Sequence, residues 1–181
     1  MDDKDEKFEE VKKTLINLKK DIKEDMITKK DNKKKDKYLA FLDDVKEFIE
    51  WTSLKYTYRY SDSGNNSRVV KKGEIYYCDL GINIGSEQDR KRPVVILQNN
   101  TGNKYSPTTI VAPITNTSKD LPVHVPLDNV QKGLKTTGLI MLEHIREVTK
   151  CRLGIYIEEV DIKSKNWQLV EKAIKISLDL K

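Results

Sequence analysis

Two clusters of side chains carry the chemistry that this 181-residue chain can do. The first runs Gly81-Ile82-Asn83-Ile84-Gly85-Ser86-Glu87-Gln88-Asp89-Arg90-Lys91-Arg92-Pro93 between two strand-like runs. It is longer than a hairpin needs, and loops of that length in a compact domain are often functional. Arg90, Lys91 and Arg92 stand together at its end, with Ser86 and Gln88 as hydrogen-bonding groups before them. Guanidinium forks pair bidentately with phosphate oxygens, and small polar groups fix the register of a phosphate backbone. The plain alternative is a charged loop that stays in water.

The second cluster is Met141-Leu142-Glu143-His144-Ile145-Arg146-Glu147. Histidine titrates near working pH, a carboxylate can take a proton, and arginine binds phosphate. In a flat strand His144 and Arg146 share a face and Glu143 points away. All three converge only if the strand bulges or ends there. The alternative is a strand rim with a satisfied histidine. His124, in Pro122-Val123-His124-Val125-Pro126, reads as an ordinary strand residue. Cys78 and Cys151 form no CxxC pair and read as small apolar fillers.

The elements that must position these clusters fall into two halves. All five prolines and seven of the eight glycines lie beyond residue 69. Strand formers crowd Glu74–Leu80, and Pro93–Gln98 is a continuous apolar run suited to burial on both faces. Asn99–Asn103 reads as a turn. Thr108–Thr115 places Ile110, Ala112 and Ile114 on one side, and Pro113 removes a ladder donor, so the strand should bulge or run at an edge there. Leu121–Leu127, Gly138–Val148 and Arg152–Val160 supply further strands. A helix follows from about residue 162 to 180, with Trp167, Val170, Ile174 and Leu178 as its apolar stripe. Several short strands with Gly/Pro punctuation predict a small barrel or strongly twisted sheet.

The front half is helical. Phe8, Val11, Leu15, Leu18 and Ile22 form one stripe, and Tyr38, Leu42, Val45, Ile49, Thr52 and Tyr56 form a second, widened by Phe41 and Phe48. Thr28–Lys35 separates them. Each pattern is short for a coiled coil, so an antiparallel hairpin over residues 1–57 is expected. Residues 58–69 form a linker, and 70–181 the β-rich domain. The hairpin is expected to pack separately, away from the Gly81–Pro93 loop. In the linker, Tyr58, Arg59 and Tyr60 could stack on RNA bases or simply cover a helix end.

Charge follows the same division. Residues 1–69 carry a net charge of +1 and residues 70–181 a net charge of +4, of the +5 in all. No run approaches the roughly 18 apolar residues of a membrane helix. Met1–Glu6 is acidic with one lysine rather than cationic then apolar, which reads against a secretory signal. Two cysteines are too few for a disulfide scaffold or zinc cluster. A cytosolic protein is the expectation.

Residues 71–180 resemble the MazF/PemK family of toxin endoribonucleases. The resemblance rests on Lys72-Gly73-Glu74-Ile75-Tyr76-Tyr77-Cys78-Asp79-Leu80, Gly85-Ser86-Glu87-Gln88 and Arg92-Pro93-Val94-Val95-Ile96. It continues through Asn99-Asn100-Thr101-Gly102-Asn103, Ser106-Pro107-Thr108, Ala112-Pro113-Ile114-Thr115, Leu121-Pro122-Val123-His124-Val125 and Glu143-His144-Ile145-Arg146. It implies an all-β SH3-like small barrel with a C-terminal helix, here preceded by an α-helical hairpin. It also implies a homodimer, a cognate antitoxin protein as partner, and cleavage of single-stranded RNA or mRNA with no metal and no cofactor.

Carried over by residue, Arg92 and Thr115 match the pair usually taken as catalytic. Gly85, Ser86, Glu87 and Gln88 match the segment that shapes the loop over RNA, which Arg90, Lys91 and Arg146 would join as substrate-binding residues. Three positions depart from the family pattern. Met141 stands where the PemK/Kid branch has arginine, His144 where many relatives have glutamine, and Asp89-Arg90-Lys91 where a Gly-Gly-like stretch is usual.

Metal-free RNA cleavage uses the 2′-OH as nucleophile. Arg92, nearly always protonated, suits charge stabilisation and transfer of a proton to the leaving group rather than general-base work. Thr115 can donate to the same oxygens, and Glu143 or His144 is the candidate base. Two alternatives stand beside this reading. One is a non-catalytic member of the same fold that binds a protein target, like the CcdB-type gyrase poisons. The other is an inactive RNA-binding relative.

Overall fold

Residues 9–10, 13–14, 16–17, 20–21, 33–61, 68–116 and 121–181 are described by the structure, a computed structural model. The chain divides into two compact units, Met1–Glu50 and Trp51–Lys181. In the first unit the described residues between 9 and 21 are helical, and a long helix begins at Lys33 and runs to Ser61. The first expected stripe, Phe8, Val11, Leu15, Leu18 and Ile22, lies outside the described residues. Among the described residues no helix is long and apolar enough to cross a membrane.

The second unit opens with the last turns of that helix, four residues beyond the expected boundary at residue 57. Its inward face is also different from the expected one, and this end of the helix does not stay away from the Gly81–Pro93 loop as expected: the Trp51 indole lies against Gly81 at the start of that loop. Thr52 and Tyr56 are exposed, while Trp51, Leu54 and Tyr58 are half-buried. These three recur at i, i+3 and i+7, so they also share one helix face. They bring more apolar area to it than the Thr52–Tyr56 stripe would, and burial selects the larger gain.

Seven antiparallel strands follow: β1 (Glu74–Asp79), β2 (Lys91–Ile96), β3 (Thr108–Thr115), β4 (His124–Pro126), β5 (Leu139–Met141), β6 (Arg146–Thr149) and β7 (Leu153–Glu159). The sheet order is β4-β5-β3-β2-β1-β7, with β6 also paired to β3. Strand β3 therefore meets three partners. It pairs with β2 from Val111 to Pro113 and with β6 from Thr108 to Val111. It then passes to β5 through Ile114–Ile140 and Thr115–Leu139. The proline sits at this hand-over, where a missing N–H costs the ladder least.

Alternation along the strands builds two cores. One face of the sheet packs Ile75, Val95, Ala112, Ile114 and Ile140 under Trp167, Val170 and Ala173 of the C-terminal helix Trp167–Ser177. The other gathers Val70, Tyr76, Cys78, Leu80, Val94, Ile96, Val111, Val148 and Leu153. Val94, Val95 and Ile96 are all fully buried, as the continuous apolar run requires. The Asn99–Asn103 turn is in fact the start of a short helix, Asn100–Tyr105, because Asn99 Oδ1 accepts from Gly102 N at 2.8 Å and caps it.

Candidate nucleic-acid interface and active site

The Gly81–Arg90 loop is closed at its neck. Leu80 N donates to Arg90 O at 2.9 Å, and Arg90 N donates to Gly81 O at 2.5 Å. Closure demands left-handed backbone at both ends, φ +87° at Gly81 and +59° at Arg90. Glycine adopts that conformation freely, whereas arginine stores strain of about 1–2 kcal/mol there. Within the loop, Asn83 Nδ2 donates to Leu80 O at 3.1 Å and to Gln88 O at 2.8 Å, which fixes the far end against the near one.

That frame orients Arg92 on β2. Its Nε donates to Asp89 O at 2.8 Å, Nη1 to Gln88 Oε1 at 2.5 Å, and Nη2 lies 3.3 Å from Asp89 Oδ1. A guanidinium has five N–H donors in a rigid fork. Three are engaged within the loop, so the plane is set, and the side chain is 26% exposed. Arg146, first residue of β6, reaches the same loop, with Nη1 donating to Gln88 O at 3.5 Å. Gln88 thus joins the two clusters read from the sequence, through its side chain to Arg92 and its carbonyl to Arg146.

The register explains why these groups share a face. Cys78 pairs with Arg92 and Val111 with Arg146, and paired residues project to the same side of a sheet. The β2–β3 register that pairs Val94 with Pro113 would, carried two residues outward, set Arg92 opposite Thr115. Strand β3 leaves β2 for β5 over those residues, and Thr115 pairs with Leu139. Gly138, beside Leu139, has φ +124°, and a Cβ there would lie 2.6 Å from the Thr115 carbonyl oxygen. Strand β5 can approach the end of β3 only with glycine at that point.

Glu143 and His144 lie on a 3₁₀ turn, Leu142–His144, that ends β5. The strand stops there, the condition under which the cluster can converge. Glu143 Oε1 accepts from Nε2 of His124 at 2.5 Å and lies 3.7 Å from Nε2 of His144. His124, read as an ordinary strand residue, has a side chain only 2% exposed and is the buried partner of Glu143. Its register gives the cause: β4 pairs His124 with Met141, two residues before Glu143.

Arg152 stands outside both clusters that the sequence picks out. Its Nε donates to Asp79 O at 2.7 Å. Desolvation by burial lowers its pKa, and neighbouring Arg146 adds to the effect. It faces Cys78, whose thiol burial pushes up to about 12, with Arg152 and Arg146 opposing. Cys78 therefore stays a protonated filler, and the arginines above it form a basic rim. Of the remaining loop residues, Ser86, Glu87, Arg90 and Lys91 are exposed and Gly85 turns the chain at φ +64°.

These features define a small antiparallel β domain with an arginine-lined loop over one sheet face. Residues 71–178 match the family described as PemK-like, MazF-like toxin of type II toxin-antitoxin system. The chain belongs to that family. It is 41% identical over 114 residues to endoribonuclease EndoA of Bacillus subtilis, covering 62% of this chain and 97% of that one. It is 42% identical over 115 residues to endoribonuclease MazF of Staphylococcus epidermidis, covering 62% and 93%. Among solved structures, MazF from Deinococcus radiodurans has the same fold, with a TM-score of 0.54 at 19% identity over 62% of this chain and 99% of that one. A mycobacterial endoribonuclease in complex with its cognate antitoxin matches with a TM-score of 0.52 at 24% identity, covering 62% and 97%.

Proposed function

We propose that this chain, an endoribonuclease of the toxin family, cuts single-stranded RNA by transesterification without a metal, through residues 70–181. The orientation of the Arg92 guanidinium by Gln88 and Asp89 carries the reading. Two N–H groups of the fork lie beyond those three contacts, which suits two phosphate oxygens. Preorganised donors of this kind stabilise charge that develops on the phosphorane.

In the reaction the 2′-oxygen attacks the adjacent phosphorus as Glu143 takes the 2′-hydroxyl proton. The P–O5′ bond breaks, the 5′-oxygen takes a proton from the Arg92 guanidinium, and solvent returns a proton to Arg92 as the Glu143 carboxyl releases its own. The products are a 2′,3′-cyclic phosphate and a 5′-hydroxyl. Thr115 donates to the phosphorane oxygens. His124 holds the Glu143 carboxylate, and His144 stands beside it as a second imidazole. Gly85, Ser86, Glu87, Gln88, Arg90, Lys91 and Arg146 bind the RNA strand, and the bases they meet set the cleavage sequence.

The toxin family implies a cognate antitoxin and a cytoplasmic site of action, where mRNA is met. A homodimer fits the apolar surface left on the C-terminal helix and its neighbours, where Leu121, Leu169, Ile176 and Leu178 are exposed. Incubating the purified protein with RNA in excess EDTA tests the activity. Discrete fragments ending in a cyclic phosphate are expected. Intact RNA would leave the protein-binding alternative standing.

A further inference from the structure

We propose that the end of the long helix and Arg152 form an accessory site for single-stranded RNA, taking a base and its phosphate beyond the cleaved stretch. The proposal rests on the RNA reading above and adds a site to it.

A pocket of about 390 Å³ lies here, lined among others by Trp51, Lys55, Tyr56, Tyr58, Arg59 and Arg152. Three aromatic rings with three cations is the composition of surfaces that bind single strands: rings stack on bases, and cations meet phosphates. The volume falls within the roughly 300–1,000 Å³ of small-ligand pockets.

Three further observations favour a ligand over a purely structural role. Tyr56 and Tyr60 meet at 4.4 Å between centroids with a 41° tilt, yet they are 66% and 63% exposed. Packing the helix end requires only Trp51, Leu54 and Tyr58, and leaves the exposed tyrosines, Lys55 and Arg59 unexplained. Arg152 lies over the Trp51 ring at 5.2 Å, and its buried Nη2 has no hydrogen-bond partner in the protein. A phosphate at the pocket would compensate this desolvated guanidinium.

Position supplies the last link. The Trp51 indole lies against Gly81, where a Cβ would fall 2.4 Å from Cζ2. Gly81 is bonded to Arg90 at the loop neck, two residues from Arg92. A strand lying along the loop therefore runs toward the pocket.

The test uses the natural full chain and two oligonucleotides built on one mapped cut site, each with a 2′-deoxy residue at the cut so that the nucleophile is absent and the strand stays intact. One ends at the cleaved stretch; the other extends it by six uridines on each side. Fluorescence anisotropy should show the longer RNA binding about tenfold tighter. Adding Lys55→Ala, Tyr56→Ala and Arg59→Ala, all on exposed positions, should reduce that advantage below about twofold. The salt slope for the longer RNA should fall by about 1.4 with the two lost cations. Equal affinity for both oligonucleotides in the parent, or an advantage that survives the triple substitution, overturns the accessory site and leaves the pocket to another partner. A natural chain that cuts no RNA, so that no site can be mapped, overturns the RNA reading itself.

Discussion

His124 Nε2 donates to Glu143 Oε1 at 2.5 Å from a side chain that is only 2% exposed. A buried imidazole thus fixes a carboxylate whose own side chain remains 29% exposed. The pair joins β4 to the turn after β5, so His124 is a positioning residue for Glu143. His124→Ala should remove the buried donor and cost about 1–3 kcal/mol of stability, read from denaturant midpoints. Glu143→Gln keeps the shape but cannot accept the 2′-hydroxyl proton. It should lower kcat by about 10²–10⁴-fold with the fold intact, and unchanged kcat would remove Glu143 as base.

Gly81 is pressed by Trp51 and held at positive φ. Gly81→Ala meets both obstacles and should destabilise by about 2–5 kcal/mol, the sum of a backbone penalty and overpacking. In combination with Trp51→Ala the clash disappears and only the backbone cost remains. The double variant should therefore lose less than the two single effects added together, a non-additivity measurable by thermal or chemical unfolding. Strict additivity would mean that the ring and the loop foot do not press on one another.

The two thiols should behave differently. Cys78 is fully buried, while Cys151 is partly exposed. A disulfide reagent at pH 8 should modify Cys151 in the native protein and reach Cys78 only on unfolding. Burial raises Cys78 from 9.0 to about 12, so between these values the folded chain keeps a proton that the unfolded chain gives up. Its contribution is intact below pH 9 and declines as pH rises toward 12. Cys78→Ala should flatten that alkaline decline while costing some packing.

Much of this arrangement was legible in residue order. The Pro93–Gln98 run gave β2, which the structure starts two residues earlier at Lys91 and ends at Ile96, with Val94–Ile96 buried on both sides; the small-residue loop before it gave the seat of Arg92. Pro113 marked where β3 changes partners. What was not legible depends on tertiary geometry. His124 gains its role because β4 aligns it with Met141, two residues before Glu143, and no spacing in the sequence encodes that register. Arg152 matters because β7 begins beside β1, a pairing of segments more than 70 residues apart. Helical periodicity picked out the Ile49, Thr52 and Tyr56 stripe, whereas the structure turns Trp51, Leu54 and Tyr58 inward. The ring of Trp51 against Gly81, a contact no spacing encodes, sets that face.

Arg92 is where the account is most exposed. Removing one preorganised donor typically costs about 10²–10³-fold in rate, and Arg92 is given both charge stabilisation and proton transfer. Arg92→Lys should not rescue it, because an ammonium cannot reproduce a fork held by Gln88 and Asp89. The most direct measurement is primer-extension mapping of a long RNA treated, in EDTA, with the natural protein or with Arg92→Ala. Discrete stops with the first and none with the second are expected. The same stops, produced at the same rate by Arg92→Ala, would contradict the mechanism.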